Sequence, residues 1–157
     1  MNFCKIKSVL NHSNEENITT LSLKYNNTYF LKKSIKDVST GFLDNPKLIK
    51  NKSVLLKPNW VTHNRKANDD LCLRTHDNFI LATLEIILEQ NPKKVTIGDA
   101  PIQGCDWYKM LSSEFIGKIN ELSKKFNVPV NINDFRRVTF NPSNNNITEE
   151  RNPLSDY

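Results

Sequence analysis

Three short apolar runs punctuate the middle of the chain, and each ends in a polar cluster. Ser53-Val54-Leu55-Leu56 leads into Lys57-Pro58-Asn59-Trp60, Val95-Thr96-Ile97 into Gly98-Asp99-Ala100-Pro101, and Val130-Asn131-Ile132 into Asn133-Asp134-Phe135-Arg136-Arg137. Runs this short and unbroken are expected of strands covered on both faces. Pro58 has no N–H to give a ladder, so it marks the end of the first strand. Between the runs the period changes. Ile80, Leu81, Leu84, Ile87 and Leu88 recur at spacings of three and four, which predicts a helix over 77–90. Thr75 or Asp77 can cap its start, and Asn91-Pro92 stops it. Trp107, Leu111, Phe115, Ile119, Leu122 and Phe126 fall on one face of a second long helix. Asp106 suits its N-cap or first turn, and Gly117 weakens it by about 1 kcal/mol against alanine.

Strand, helix, strand, helix, strand predicts an α/β fold: a three-layer, mostly parallel sheet built on a βαβαβ unit with right-handed crossovers. In open sheets of this kind ligands bind outside the carboxyl ends of the strands. The three polar clusters are therefore expected to share one rim. Residues 51–140 form this core, 1–50 an N-terminal extension packed on the same domain, and 141–157 a polar tail without periodicity, docked only in part. Within the extension, residues 3–10, 18–23 and 28–31 read as strands, with Asn26-Asn27 as a hairpin turn. Residues 35–42 read as a short helix ending near Gly41, and 64–70 as a polar loop.

A chain of 157 residues is one domain by length, long enough to bury about 68–70% of its unfolded surface without a staple. Asparagine fills 22 positions and reads as background that inflates turn signals. The 22 basic and 17 acidic residues give a formal +5. The lysines are scattered along the sequence, without the aromatic interleaving of a nucleic-acid surface. They read as a solvated face, and no nucleic-acid partner is expected, since that reading rests on the charge balance alone. Cys4, Cys72 and Cys105 lack CxxC spacing and make no metal motif. Nothing resembles a signal peptide, and nothing approaches the roughly 18 apolar residues of a membrane span. No membrane association and a cytoplasmic location are the expectation. With only Gly41, Gly98, Gly104 and Gly117 there is no GxxxxGK[ST] or GxGxxG loop, and HExxH and GxSxG are absent too.

The candidate chemistry lies in the polar clusters. Lys57 can hold a carboxylate or phosphate as a point charge, or stand as a solvated strand-end lysine. Asn59 can orient a ligand, or close a turn with its own backbone. Asp99, just past an apolar strand, suits a general base or metal ligand. Its plain alternative is a cap in the turn after Gly98. On the functional reading, Asp99→Ala is expected to abolish ligand or metal binding while leaving the melting temperature within a few degrees. His76, at a helix start, suits proton transfer or an anion contact, or simply satisfies backbone there. Cys105 and the N–H groups around Gly104 lie near a helix N-terminus, which lowers a thiol's pKa and attracts anions. No base for the thiol is identifiable, and an inert side chain is favoured. One of Arg136 and Arg137 can grip an anion bidentately while the other is solvated. His12 and His63 sit in polar loops and are expected to have no role.

Val54-Leu55-Leu56-Lys57-Pro58-Asn59-Trp60-Val61, the Thr75-His76 helix start, and Lys94-Val95-Thr96-Ile97-Gly98-Asp99-Ala100-Pro101 together resemble the N-terminal half of the "domain of unknown function 362" family. Ala100 stands where serine is common there. Gln103-Gly104-Cys105-Asp106 and Asp134-Phe135-Arg136-Arg137 are similar to one branch of it. The resemblance covers roughly residues 50–140. The family has no agreed activity. Some members carry ferredoxin-like iron–sulfur segments, whose cysteines are absent here. It is also thought distantly similar to the N-terminal domain of nickel-dependent lactate racemases, which implies a site at a sheet edge. Members normally continue into a second half, so the resemblance implies a truncated form or a half supplied by another chain.

These readings converge on a partial or complete enzyme domain that binds a small anionic metabolite, with or without a metal. Asp99 and His76 would be catalytic, and Lys57, Asn59, Gly98, Gly104 and Arg136 would bind the ligand. No residue pattern names a cofactor or a metal. The alternative is a non-catalytic fragment or subunit that completes its sheet with a second copy or a partner chain.

Overall fold

A computed structural model of the chain describes residues 27–64, 73–141 and 143–150. The strands expected at 3–10 and 18–23, most of the 64–70 loop, and Cys4, Cys72 and His12 lie outside these residues. In chain order the elements are α1 (Thr28–Val38), α2 (Pro46–Ile49), β1 (Ser53–Leu56), α3 (Asp77–Leu88), β2 (Lys94–Asp99), α4 (Trp107–Met110), α5 (Ser113–Phe126), β3 (Val130–Asp134), β4 (Val138–Phe140) and β5 (Ile147–Glu150). The protein is mixed α/β. β1, β2 and β3 form a parallel sheet in that order, with Val54 level with Val95 and Val95 level with Val130. β4 and β5 make a separate antiparallel pair.

Strand alternation divides the sheet's side chains between two faces. Val54, Leu56, Val95, Ile97, Val130 and Ile132 point into one core with Ile80, Leu84 and Ile87 of α3 and Phe115 and Ile119 of α5. Both crossover helices therefore lie on one face, as two crossovers of the same hand require when the strand order is sequential. Leu55 points the other way and is 56% exposed. The expectation that β1 is covered on both faces is corrected: the run is apolar throughout, but the described helices cover only its even positions.

α3 is apolar around nearly its whole circumference, which marks a helix buried on all sides. Ile80, Leu81, Leu84, Ile87 and Leu88 join the sheet core, while Ala82 and Ile86 meet Leu31 and Ile35 of α1. Each such fully buried aliphatic side chain contributes about 1.5–3 kcal/mol. A salt network borders this contact. Glu89, the C-cap of α3, pairs with Lys32 and Lys36 of α1, and Glu85 of α3 with Lys32 and with Lys125 of α5. Burial pushes the Glu89 carboxyl up, but its bonds from Lys32 and Lys36 outweigh that and leave it below its ordinary value.

Residues 28–31 are helical, not the strand expected from Thr28-Tyr29-Phe30. The Asn27 side chain caps α1 by accepting from the Phe30 N–H at 3.1 Å. Leu31 and Ile35, four residues apart, then dock on α3. The helix expected at 35–42 is the end of this same α1, and Gly41 lies past it at φ +79. His76 caps α3, in place of Thr75 or Asp77. The long helix expected after Asp106 is broken at Leu111–Ser112. Ser112 starts α5 as its N-cap, with its hydroxyl 3.1 Å from the Phe115 N–H, yet the apolar stripe from Trp107 to Phe126 survives the break.

Asparagine proves to be more than background. Asn51, Asn91, Asn127 and Asn145 take left-handed backbone conformations, which asparagine tolerates better than other non-glycine residues. Residues 147–150 are more ordered than expected, since they form β5 and pair with β4. The Gln103 side chain ties this hairpin to the loop after β2. Its Nε2 donates to the Val138 carbonyl at 2.7 Å, and its Oε1 accepts from the Phe140 N–H at 3.3 Å.

Candidate functional site

Because β1, β2 and β3 are parallel, Lys57, Asp99 and Arg136 stand at one end of the sheet. The strip after β1, residues 57–64, organises this rim. On one side it runs antiparallel to residues 73–75, through a Trp60–Arg74 bridge and bonds between Asn59 and Thr75. The Thr75 N–H donates to the Asn59 carbonyl at 2.8 Å, and its hydroxyl accepts from the Asn59 N–H at 2.9 Å. On the other side the strip is fixed to the segment after β2: the Ile102 N–H donates to the Val61 carbonyl at 2.9 Å.

Asp99 joins the two sides. Its Oδ1 accepts from the Lys57 ammonium at 2.8 Å and from the Ala100 N–H at 2.8 Å, and its Oδ2 from the Trp60 N–H at 2.8 Å. The Asp99 side chain is 8% exposed and the Lys57 side chain 60%. A buried carboxylate bound by one cation and two backbone N–H groups is well satisfied. Both oxygens hold the rim together, and Lys57 is presented to solvent by a fixed partner. Trp60 itself is buried, with its ring edge-on to Trp107 at 5.7 Å and to Phe115 at 6.3 Å.

His76 lies one residue beyond Thr75, exposed at the start of α3, where its Nδ1 accepts from the Asn78 N–H at 3.2 Å. In the neutral ring this places the proton on Nε2. Asn59 is exposed, and its side-chain amide takes no part in the bonds that fix the strip. The structure thus brings Lys57, Asn59, His76 and Asp99 to neighbouring segments of one rim.

The other expected binding residues are engaged differently. The Arg136 guanidinium is buried: its Nε contacts both oxygens of Asp134 at 3.0 Å and its Nη1 reaches the Cys105 carbonyl at 3.0 Å. Arg136 therefore clamps the end of β3 to the loop after β2, and Arg137 is the solvated member of the pair. Gly98 is covered. A Cβ there would lie 2.3 Å from the Asn133 carbonyl oxygen and 2.5 Å from the Phe135 ring. Only glycine lets that ring cross β2. Gly104 takes φ +79 in the turn that returns the Cys105 N–H to the Ile102 carbonyl.

Of the N–H groups near Gly104 expected to attract an anion, those of Cys105 and Asp106 already have acceptors. The Asp106 N–H donates to Nδ1 of His63 at 2.9 Å, and Asp106 Oδ1 accepts from the Tyr108 and Lys109 N–H groups. Those groups, Lys109 foremost, hold the exposed Asp106 carboxyl below its ordinary value. His63, expected to have no role, thus fixes the loop before α4. Cys105 is buried. Among the described residues no three His, Cys, Asp or Glu side chains gather as a metal would need, and no helix is long and apolar enough to cross a membrane.

Comparison with known proteins returned no match: no family profile, no curated protein and no solved structure is similar to the chain.

Proposed function

We propose that the rim at the carboxyl ends of β1 and β2 binds a small anionic metabolite, a carboxylate or a phosphate, as part of an enzyme domain. The observation that carries this is Lys57: its ammonium is held by a buried carboxylate yet is largely open to water. An ammonium has three donors, and Asp99 occupies one. Lys57 contacts the anion, Asn59 orients it, and His76 supplies a proton-transfer group at the same edge. Asp99 serves as the positioning carboxylate for Lys57 and for the strip. Its charge offsets that of the ammonium, so affinity rests on donors more than on net charge and falls in the millimolar range. The βαβαβ connection belongs to the same proposal, and the strand order with its parallel register supports it. The described helices cover one face of the sheet, and the third layer of the expected architecture would have to cover the other.

Calorimetric titration of the chain with inorganic phosphate and with malonate tests the reading. One of them is expected to bind with a Kd of about 1 mM, and Lys57→Met to weaken that binding at least tenfold. The same substitution leaves stability within about 1 kcal/mol, because an exposed pair contributes little. No heat from either anion at ~10 mM would overturn the proposal.

A second reading has its own observation. Among the described residues β3 pairs with β2 alone, and beside its outer edge lies a cavity of ≈430 Å³ lined by Trp107, Tyr108, Ile116, Asn120 and Ile132 without a charged side chain. Under this reading the chain is a subunit that completes its sheet edge to edge with a second copy, whose own β3 offers the same neutral, extended surface. Sedimentation as a monomer at about 100 μM, well above the Kd of a stable pair, would remove it.

A further inference from the structure

At the opposite end of the sheet from Lys57 and Asp99, the strand register collects lysines that the sequence keeps far apart. Lys50 and Lys52 precede β1, and Lys93 and Lys94 open β2. The Lys93 N–H donates to the Lys52 carbonyl at 2.9 Å, the Asn51 N–H donates to the Asn91 carbonyl at 3.0 Å, and Ser53 is level with Lys94. The backbones are thus adjacent strands, about 4.8 Å apart. Lys50, Lys52 and Lys93 are exposed and Lys94 half-buried. None of the four takes part in an ion pair. Neither 45–57 nor 90–98 contains an Asp or a Glu. Of the acids just outside, Glu89 is neutralised by Lys32 and Lys36, the Asp44 carboxylate accepts from the Gly41 N–H, and Asp99 lies at the other end. Lys52 and Lys93 are level and take the face of Val54 and Val95, Lys50 lies two residues before Lys52, and Lys94 takes the opposite face with Leu55.

We propose that this lysine patch binds the phosphodiester backbone of duplex nucleic acid without reading its sequence. The composition of the patch selects that partner. Lysine is a hydrated point charge that suits a diffuse row of phosphates, whereas one discrete phosphate or carboxylate favours the bidentate fork of arginine, and there is no arginine here. Both segments lack aromatic side chains, so there is no platform for the unpaired bases of a single strand. Lysine is depleted where proteins bind proteins, which disfavours an acidic protein partner. Duplex nucleic acid presents about one charge per 1.7 Å of axis, dense enough to meet neighbouring lysines together. This patch shares no residue with the rim, so either proposal can fail alone.

Fluorescence anisotropy of a mixed-sequence DNA duplex of about 20 base pairs, titrated with the whole chain, tests it. Three phosphate contacts, from Lys50, Lys52 and Lys93, predict that log K falls against log salt with a slope of about −2.7, roughly a fortyfold loss between 50 and 200 mM KCl. Lys52→Gln with Lys93→Gln is expected to flatten the slope by about two. Lys57→Gln, at the other end, leaves it unchanged. These lysines support no core contact, so a matching thermal melt confirms that the variants fold. Absence of binding at about 50 mM KCl overturns the proposal. So does a slope that the double substitution does not change. Equal affinity for polyglutamate of matching charge, or capture by anionic vesicles without DNA binding, would reassign the patch and also overturn it.

Discussion

Replacement of Arg136 by alanine is expected to lower stability by about 3–5 kcal/mol, the usual cost of removing one partner from a buried ion pair. The reason is the charge left behind. The Asp134 side chain is 3% exposed and that of Arg136 7%, and the guanidinium supplies several donors to that carboxylate. It also satisfies the Cys105 carbonyl. Without it, the Asp134 carboxylate loses that cation in a site that water hardly reaches, and the loop after β2 loses its anchor to β3. Urea unfolding of the variant measures the loss directly. Adding Asp134→Asn to Arg136→Met removes both charges and is expected to restore part of it. A loss below about 1 kcal/mol would show that Arg136 does not hold the fold, and would free its guanidinium for the anion-binding role that the sequence suggests.

Asp99→Ala is the second large effect, expected at about 2–4 kcal/mol. Most of it comes from the Trp60 N–H, which lies within a buried residue and would lose its only acceptor, at about 1–3 kcal/mol. The Ala100 N–H adds less. The Lys57 pair adds about 0–1 kcal/mol, because that lysine is mostly solvated. This reverses the expectation of a carboxylate removable at little cost. Hydrogen exchange adds a local signature: amides of residues 57–64 should open far more readily in the variant than those of α3. A variant within about 0.5 kcal/mol of the parent, with unchanged exchange along the strip, would return Asp99 to the role of an unencumbered general base.

The parts of the fold legible in the sequence were those set by local periodicity. β1, β2, β3 and α3 follow from apolar spacing alone, and their parallel order puts the strand-end residues Lys57 and Asp99 where a rim should be. α1 was not legible because Thr28-Tyr29-Phe30 favours a strand by propensity. What decides the matter is docking of Leu31 and Ile35 onto Ala82 and Ile86, a contact between segments some fifty residues apart. The Leu111–Ser112 break did have a signal, since Ser112 is a good N-cap residue and Glu114 an acid suited to the first turn. In the site, the residue types were readable but their commitments were not. Nothing near His63 announces Asp106, 43 positions away, as its donor, and Arg136 looks like an anion grip until Asp134 and the Cys105 carbonyl are seen to occupy it. The lysine patch is invisible for the same reason. It exists only once the register sets Lys52 beside Lys93.

The all-round apolar character of α3 bears on where this chain can be divided. Its sequence suggests a seam near residue 50, between an extension and a core. Removing everything before that seam would strip Leu31 and Ile35 from Ala82 and Ile86, leave a greasy flank facing water, and cost Glu89 both of its lysine partners. α1 is thus a wall of the protein rather than an annex to it, and residues 51–140 by themselves would be an adhesive, self-associating fragment.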